Sequence, residues 1–454
     1  MAFPAAIGSP LAMRVVARGL TLLFVLAGTS VARDSFAEEQ PPADQPTTDL
    51  HLEDAVRAAL TNNERAQKAP LRVETAAGQA DKALTTFFPT LTATGSEQIR
   101  ATEDKSGRNT TATGTLTLGV PILNPSAFPL YAQARHQRES ERWGSQQDKR
   151  QLAFDTAKAF ITAIAAERVL EAAVKRVERA KANVDNAEAR AQAQLASTND
   201  ATRAKLDFAT AQSQIATASG NAIRARITLE FLMGRKSGGK LAPPERTTRA
   251  AEAIEGAAQQ QITSAIDRRP DVQSAHERSE ALRIAATEPN FRLIPSLAAS
   301  GQMRFLPDPQ PTEKAVDQTV TLTLTWNIFD NGGRYADLRT RRSQRDSQQL
   351  DEKLLRRSVE TDVNLALASL HAARESFKIA EEAVVSAQKL IEETEILYRQ
   401  GLARALEVTD ANAKRFDAEV TRASAKLAME QAYLELRFAL GYGPLDEDPA
   451  GASK

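Results

Sequence analysis

Val316–Arg334 reads VDQTVTLTLTWNIFDNGGR, and within it Val320, Leu322, Leu324, Trp326 and Ile328 alternate with Thr319, Thr321, Thr323, Thr325 and Asn327. Alternation with a period of two predicts a β-strand with one apolar face and one uncharged hydroxyl face. Eleven residues at roughly 3.3 Å each reach about 36 Å, which at a tilt of about 45° covers the apolar band of a bilayer. A strand over 316–329 places Leu324 near the middle of that band. A strand of a soluble sandwich alternates in the same way, so recurrence elsewhere in the chain has to separate the two readings.

The pattern recurs. Leu116–Leu123 repeats the spacing of Leu322–Phe329 at an offset of 206, and the same offset carries Pro89–Leu91 onto Pro295–Leu297 and Ala59–Asn63 onto Ala265–Arg269. Leu229–Gly234 returns one residue later as Leu436–Gly441. Two tandem copies of one unit are expected, over 50–234 and 265–443, with a linker at 235–264 carrying Gly238, Gly239, Pro243 and Pro244, and a short acidic tail at 444–454.

Composition narrows the function. Lys plus Arg equals Asp plus Glu at 58 each, which argues against nucleic acid as a partner, since phosphate binding needs a basic surplus. The chain has no cysteine, which removes disulfides, thiolate metal sites and an amino-terminal lipidated Cys. Arg14 and Arg18 followed by the apolar run Leu20–Ala27 and small residues predict a secretory signal peptide over 1–37, cleaved after 32 or 37, with a flexible lead-in at 38–49.

Along the mature chain, a helix is expected from Leu52 to about Phe87, stopped by Pro89. Strands follow over 90–102 and 109–120, joined by the polar turn Glu103–Arg108, with Pro121 and Pro125 ending the pairing. The second half repeats them over 296–306 and 316–329. Between and after the strands run long helices with heptad seams. In one, Ala163, Ala166, Leu170, Ala173, Val177, Ala180, Val184, Ala187 and Ala191 step by three and four. In the other, Val359, Val363, Ala366, Leu370, Ala373, Phe377, Ala380, Val384, Ala387, Ile391, Thr394 and Tyr398 do so. Such spacing predicts antiparallel coiled coils, turning at 195–200 and 400–405. The fold class is therefore an α+β membrane protein: a long helical coiled-coil barrel with four strands per chain. Four strands cannot close a membrane barrel and three copies supply twelve, so a homotrimer is expected.

The sequence resembles the outer membrane efflux proteins typified by TolC, through LEDAVRAALTNN at Leu52–Asn63, RPDV at Arg269–Val272, WNIFDNGGR at Trp326–Arg334 and YRQGLARALEVTDA at Tyr398–Ala411. The resemblance implies a trimeric twelve-stranded barrel in the bacterial outer membrane on a periplasmic tunnel. It also implies an exit duct served by a periplasmic adaptor and an inner membrane transporter, without cofactor or catalysis. A wholly periplasmic coiled-coil adaptor is the alternative, although adaptors ordinarily carry one hairpin, not two. The chain lacks the Gly that the family often has at Leu195.

Glu407 and Asp410 lie three apart just past the second helix break. Carboxylates there complement a helix dipole, whereas the resemblance makes them an acidic ring at the periplasmic entrance of a three-fold tunnel. Asn199, Asp200, Tyr398 and Arg404 cluster at the two tips. Asp200 as N-cap and Tyr398 as the last seam residue is the plain reading; the resemblance implies a latch that holds the tunnel closed. Asp330–Arg334 reads as a strand-to-helix turn with positive φ, and His51, His136, His276 and His371 show no ligand spacing.

Overall fold

The computed structural model describes residues 49–102, 109–253, 259–309 and 313–445. The expected signal peptide, the 103–108 turn and nearly all of the lead-in and tail lie outside them. The first half runs α1 (Leu52–Asn62), α2 (Glu64–Thr85), β1 (Thr90–Ile99), β2 (Thr110–Leu123), α3 (Ala127–Gln192) and α4 (Thr198–Met233). The second runs α5 (Glu245–Ala253), α6 (Gln259–Arg268), α7 (Pro270–Ala285), α8 (Glu288–Phe291), β3 (Ser296–Phe305), β4 (Val316–Thr325), α9 (Gly333–Arg399) and α10 (Ala405–Ala439).

The rods are α3 and α9, of 66 and 67 residues, each about 100 Å long at 1.5 Å per residue. α4 packs back along α3 and α10 along α9, while α10 also touches α3. The seams do the packing: Val359, Val363, Ala366, Leu370, Phe377, Ala380, Ala387, Ile391 and Thr394 are buried, as are Ala163, Ala173, Ala180 and Ala187. Alanine at alternate layers lets helices approach closely, so the coil needs few large side chains.

Larger side chains gather partway along the rods in two clusters. One joins Ala55, Val56, Phe154, Phe160, Leu229 and Met233; the other joins Val272, Val359, Leu370, Met429, Tyr433 and Leu436. Each is closed by a left-handed glycine ending a returning helix, Gly234 (φ 66°) and Gly441 (φ 84°). A Cβ there would lie 3.0 Å from the carbonyl carbon of Asn62 or from Cβ of Arg268. Both the positive φ and the close approach therefore call for glycine.

The sheet has the order β1-β2-β3-β4, antiparallel throughout. Its register settles the faces, because directly opposed residues share a side. Leu324, Leu322 and Val320 stand opposite Leu297, Ala299 and Gly301. Ala299, Gly301 and Met303 stand opposite Val120, Leu118 and Leu116, and Leu118 and Leu116 opposite Leu91 and Ala93. The reverse face carries Thr90, Thr92, Thr94 and Ser96, then Thr113, Thr115 and Thr117, then Ser296, Ser300 and Gln302, then Thr319, Thr321, Thr323 and Thr325. A mainly apolar and a mainly hydroxyl face thus cross all four strands, with Glu97 and Gln318 among the polar exceptions on the first and Pro121 and Ala298 among the apolar ones on the second.

Four local expectations are corrected. The first helix breaks at Asn63, whose extended backbone (ψ 135°) starts α2; its Oδ1 accepts the Arg65 N–H at 2.9 Å and its Nδ2 donates to the Leu232 carbonyl at 3.0 Å. Pairing also continues through Pro121, opposite Ala298, to Leu123, with an irregularity between them. β1 has already ended opposite Gly119, so β2 is an edge there and tolerates a missing N–H. β4 stops at Thr325, opposite Ser296, since Pro295 cannot donate to a further ladder bond; Trp326 instead donates its indole N–H to the Leu293 carbonyl at 3.0 Å. The strand centre therefore falls between Val320 and Thr321, and Leu324 lies near its end.

The fourth correction concerns 235–264, which is not a bare linker. Leu241 forms a parallel bridge with Leu50, and α5 buries Ala250 and Ala251. Thr248 Oγ1 donates to Glu430 Oε1 of α10 at 2.6 Å. Glu430 is 3% exposed, and this burial raises its pKa above the ordinary 4.5, against the opposing pull of Thr248 and Lys426. A raised carboxyl pKa means that the fold prefers the protonated form, so stability falls as pH rises from the ordinary value through the folded one. Glu430→Gln keeps an acceptor for Thr248 and is expected to stabilise by about 1 to 2 kcal/mol at pH 8. It should also flatten the loss seen in urea unfolding as pH rises above the ordinary carboxyl range; an unchanged pH profile would dismiss Glu430 as its source.

Candidate functional site

The two hairpin tips share one turn. Leu195 N–H donates to the Arg190 carbonyl and Leu402 N–H to the Leu397 carbonyl, both at 2.8 Å, and the preceding residues, Gln194 (φ 62°) and Gly401 (φ 78°), are left-handed. This six-to-one bond satisfies carbonyls that the helix end leaves free. The position that favours glycine in the first tip is thus Gln194, not Leu195.

Glu407 is exposed in the first turn of α10, and its Oε1 accepts the Arg404 N–H at 3.5 Å. Asp410, also exposed, is paired with Lys414 Nζ at 2.7 Å. Arg404 is the extended N-cap residue of α10. In the first tip the N-cap is Ser197 rather than Asp200; its Oγ accepts the Asn199 N–H at 3.2 Å, and its carbonyl accepts the Asp200 N–H at 3.0 Å. Among the described residues no hydrogen bond or ion pair joins Asn199 or Asp200 to the second tip.

Tyr398 is where the tips meet. The guanidinium of Arg190, at the end of α3, lies 4.2 Å from the Tyr398 ring centroid, and its Nη1 donates to the Tyr398 carbonyl at 3.2 Å. Tyr398 in turn packs on Ile391, Val408 and Ala411. A cation over a ring together with a hydrogen bond is worth about 1 to 3 kcal/mol. Arg190 was not legible in the sequence, because an arginine in a last helical turn ordinarily serves the helix dipole.

Farther along the same bundle, a buried ion pair within the first hairpin also reaches the second. Arg176 of α3 is paired with Asp207 of α4 at 3.2 Å, with side chains only 7% and 10% exposed. Its guanidinium lies 5.1 Å from the Phe416 ring of α10. The buried Arg176 Nε and Asn412 Oδ1 have no hydrogen-bond partner among the described residues. Burial also holds the Arg179 guanidinium below its ordinary pKa, with Arg415 nearby adding to the effect.

At the opposite end, Asp330 builds the turn from β4 into α9. Its carboxylate accepts the Gly332 and Arg334 N–H groups at 3.2 and 2.8 Å, and Asn331 (φ 55°) and Gly332 (φ 84°) are left-handed. His136 is paired with Glu277 at 2.7 Å and His276 with Glu352 at 3.1 Å, so two of the four histidines tie helices together.

The family model described as outer membrane efflux protein matches residues 55–235 and again 261–442. A comparison with curated protein sequences finds no match. Among solved structures, a membrane protein from Pseudomonas aeruginosa matches with a TM-score of 0.76 at 19% identity, covering 87% of this chain and 93% of that one. The Campylobacter jejuni CmeC outer membrane channel matches with 0.73 at 15%, covering 92% and 95%. The open state of the Neisseria gonorrhoeae MtrE outer membrane channel matches with 0.72 at 19%, covering 86% and 89%. These likenesses extend over most of each chain and so share its fold, and the adaptor alternative finds no support among them. With both halves matched by the family model, the chain belongs to the outer membrane efflux protein family.

Proposed function

We propose that three copies of this chain form one duct through the outer membrane, a passive exit for cargo driven by an inner membrane transporter and delivered through a periplasmic adaptor. The observation that carries this reading is the sheet. One face is mainly apolar and the other mainly hydroxyl across all four strands, and its outer strands, β1 and β4, have no partner on their free sides among the described residues. In hydrocarbon an open edge leaves backbone groups unpaired at several kcal/mol each. Joining β4 of one copy to β1 of the next removes every edge, and twelve strands make a barrel. The threonine face then lines the lumen.

Each chain carries Glu407 and Asp410 to the far end of the tunnel, where three-fold symmetry would gather six carboxylates around the entrance. Lys414 offsets Asp410, so Glu407 dominates the field there. The Arg190–Tyr398 contact supplies the latch within each copy.

Purified chain in detergent is expected to have the mass of three copies and to conduct in a planar bilayer with a preference for cations. Glu407→Ala should lower the cation-to-anion permeability ratio several-fold, Asp410→Ala less, and the double variant most. The effect should fade as salt shortens the Debye length from about 10 Å at 0.1 M to about 3 Å at 1 M. Stability should change little, each dipole contribution being about 0.3 to 1 kcal/mol. A stable monomer would reject the shared barrel, and unaltered selectivity in a conducting double variant would leave both carboxylates as helix-end charges only.

A further inference from the structure

Just beyond the sheet, both rods carry the same stripe. On α3, Phe128, Tyr131, Arg135 and Arg138 follow at i, i+3, i+7 and i+10; on α9, Tyr335, Arg339 and Arg342 follow at i, i+4 and i+7. Each set lies on one helical face. Phe128 is 53% and Tyr335 67% exposed, and Trp326, next to the end of β4, is exposed with its N–H tied inward. Aromatic side chains at the end of a spanning sheet mark the membrane–water boundary.

The arginines come one to three turns deeper, about 9 to 17 Å from the helix starts, and all four are exposed. Among the described residues none has an ion pair or hydrogen bond. The carboxylates of α3 and α9 at this level are already taken: Glu139 by Arg142, Glu141 and Asp148 by Arg72, Asp337 by Arg292 and Asp346 by Arg345. A surplus of cations therefore sits below an aromatic belt, on the same helix faces. Long arginine side chains reach upward toward an interface, and a cationic cluster beside a membrane attracts acidic lipid.

We infer that Arg135, Arg138, Arg339 and Arg342 form a collar that holds acidic phospholipid headgroups of the leaflet facing the rods. This rests on the outer membrane reading of the sheet. Three copies would place twelve guanidinium groups around the barrel's lower rim, orienting it in depth and rotation.

The full chain would be reconstituted in vesicles of phosphatidylcholine alone and of phosphatidylcholine with one quarter phosphatidylglycerol, then extracted mildly and its retained lipids counted by native mass spectrometry. Insertion into the neutral vesicles tests the barrel by itself; failure there would overturn barrel and collar together. With mixed vesicles, phosphatidylglycerol should be retained several-fold above its bulk share, and 0.5 M NaCl during extraction should reduce that excess. Changing all four arginines to Gln should abolish it. The paired variants Arg135→Gln/Arg138→Gln and Arg339→Gln/Arg342→Gln should each lose about half, which keeps the test decisive if the fourfold variant folds poorly. Retention at the bulk ratio, or an excess unchanged in both paired variants, would overturn the collar. So would complete displacement by 10 mM inorganic phosphate, which would indicate a site for free phosphate.

Discussion

Val320→Arg is expected to cost about 2 to 4 kcal/mol of membrane-inserted stability, whereas Thr321→Arg, one residue on, should insert and conduct. Val320 is at the middle of β4, 86% exposed, and opposite Gly301 on the face shared with Leu118 and Leu322. An arginine there must meet hydrocarbon. Thr321 faces Ser300 on the hydroxyl side, where a guanidinium meets lumen water. Leu324→Arg should cost only about 0 to 1 kcal/mol, because the penalty falls toward the interface and Leu324 is one residue from the end of the strand. Folding into vesicles from urea, followed by protease protection and heat-modified mobility, reads all three. Equal penalties at 320 and 321 would reject the assignment of faces, and an equal penalty at 320 and 324 would reject the assignment of depth.

Arg269→Ala should destabilise the helical part by about 3 kcal/mol, the lower end of what breaking a buried ion network costs. The Arg269 side chain is 6% exposed. Its Nε and Nη2 grip both oxygens of Asp271 at 3.1 and 2.7 Å, and its Nη1 reaches Asp362 of α9 at 3.0 Å. Burial alone would lower its pKa, yet the bonds to Asp271 and Asp362 hold it above its ordinary value. Stability tied to a raised basic pKa is complete below the ordinary value and lost only as pH rises through the folded one. The tie is thus not lost by deprotonation of Arg269 at neutral or mildly alkaline pH. Removal strands Asp271, and Asp362 suffers less because it is 45% exposed. Arg269→Lys should cost about half as much, since an ammonium cannot span two carboxylates with a planar fork. Urea unfolding of the detergent-solubilised protein measures both. An alanine variant within about 0.5 kcal/mol of the parent would show the network to be energetically idle.

These two sites differ in how far the sequence reveals them. The strand was legible because its signal is a period of two: Val320, Leu322 and Leu324 against Thr321, Thr323 and Thr325 specify a pleated, two-faced segment whatever surrounds it. The rods were legible for the same reason, a period of 3.5 in Val359, Val363, Ala366 and Leu370. Arg269 within RPDV could be noticed as a motif, but the partner that gives it weight, Asp362, lies 93 residues away.

The sequence by itself determined the elements with local periodicity, the helix turns near 195 and 400, and the duplication that pairs Gly234 with Gly441. Tertiary structure alone decided the rest, because those facts depend on which chain segment lies opposite. Β4 could not be seen to end at Thr325 until Ser296 and Pro295 stood across from it. The helix break at Asn63 follows from the Phe231 and Leu232 carbonyls that its side chain meets. Glu430 became a buried acid only once α5 covered it. Arg190 reads as a helix-end charge until folding lays it on Tyr398, 208 residues later. Period fixes which face a side chain occupies, whereas a hydrogen bond or ion pair across the fold is fixed by the neighbour that packing brings.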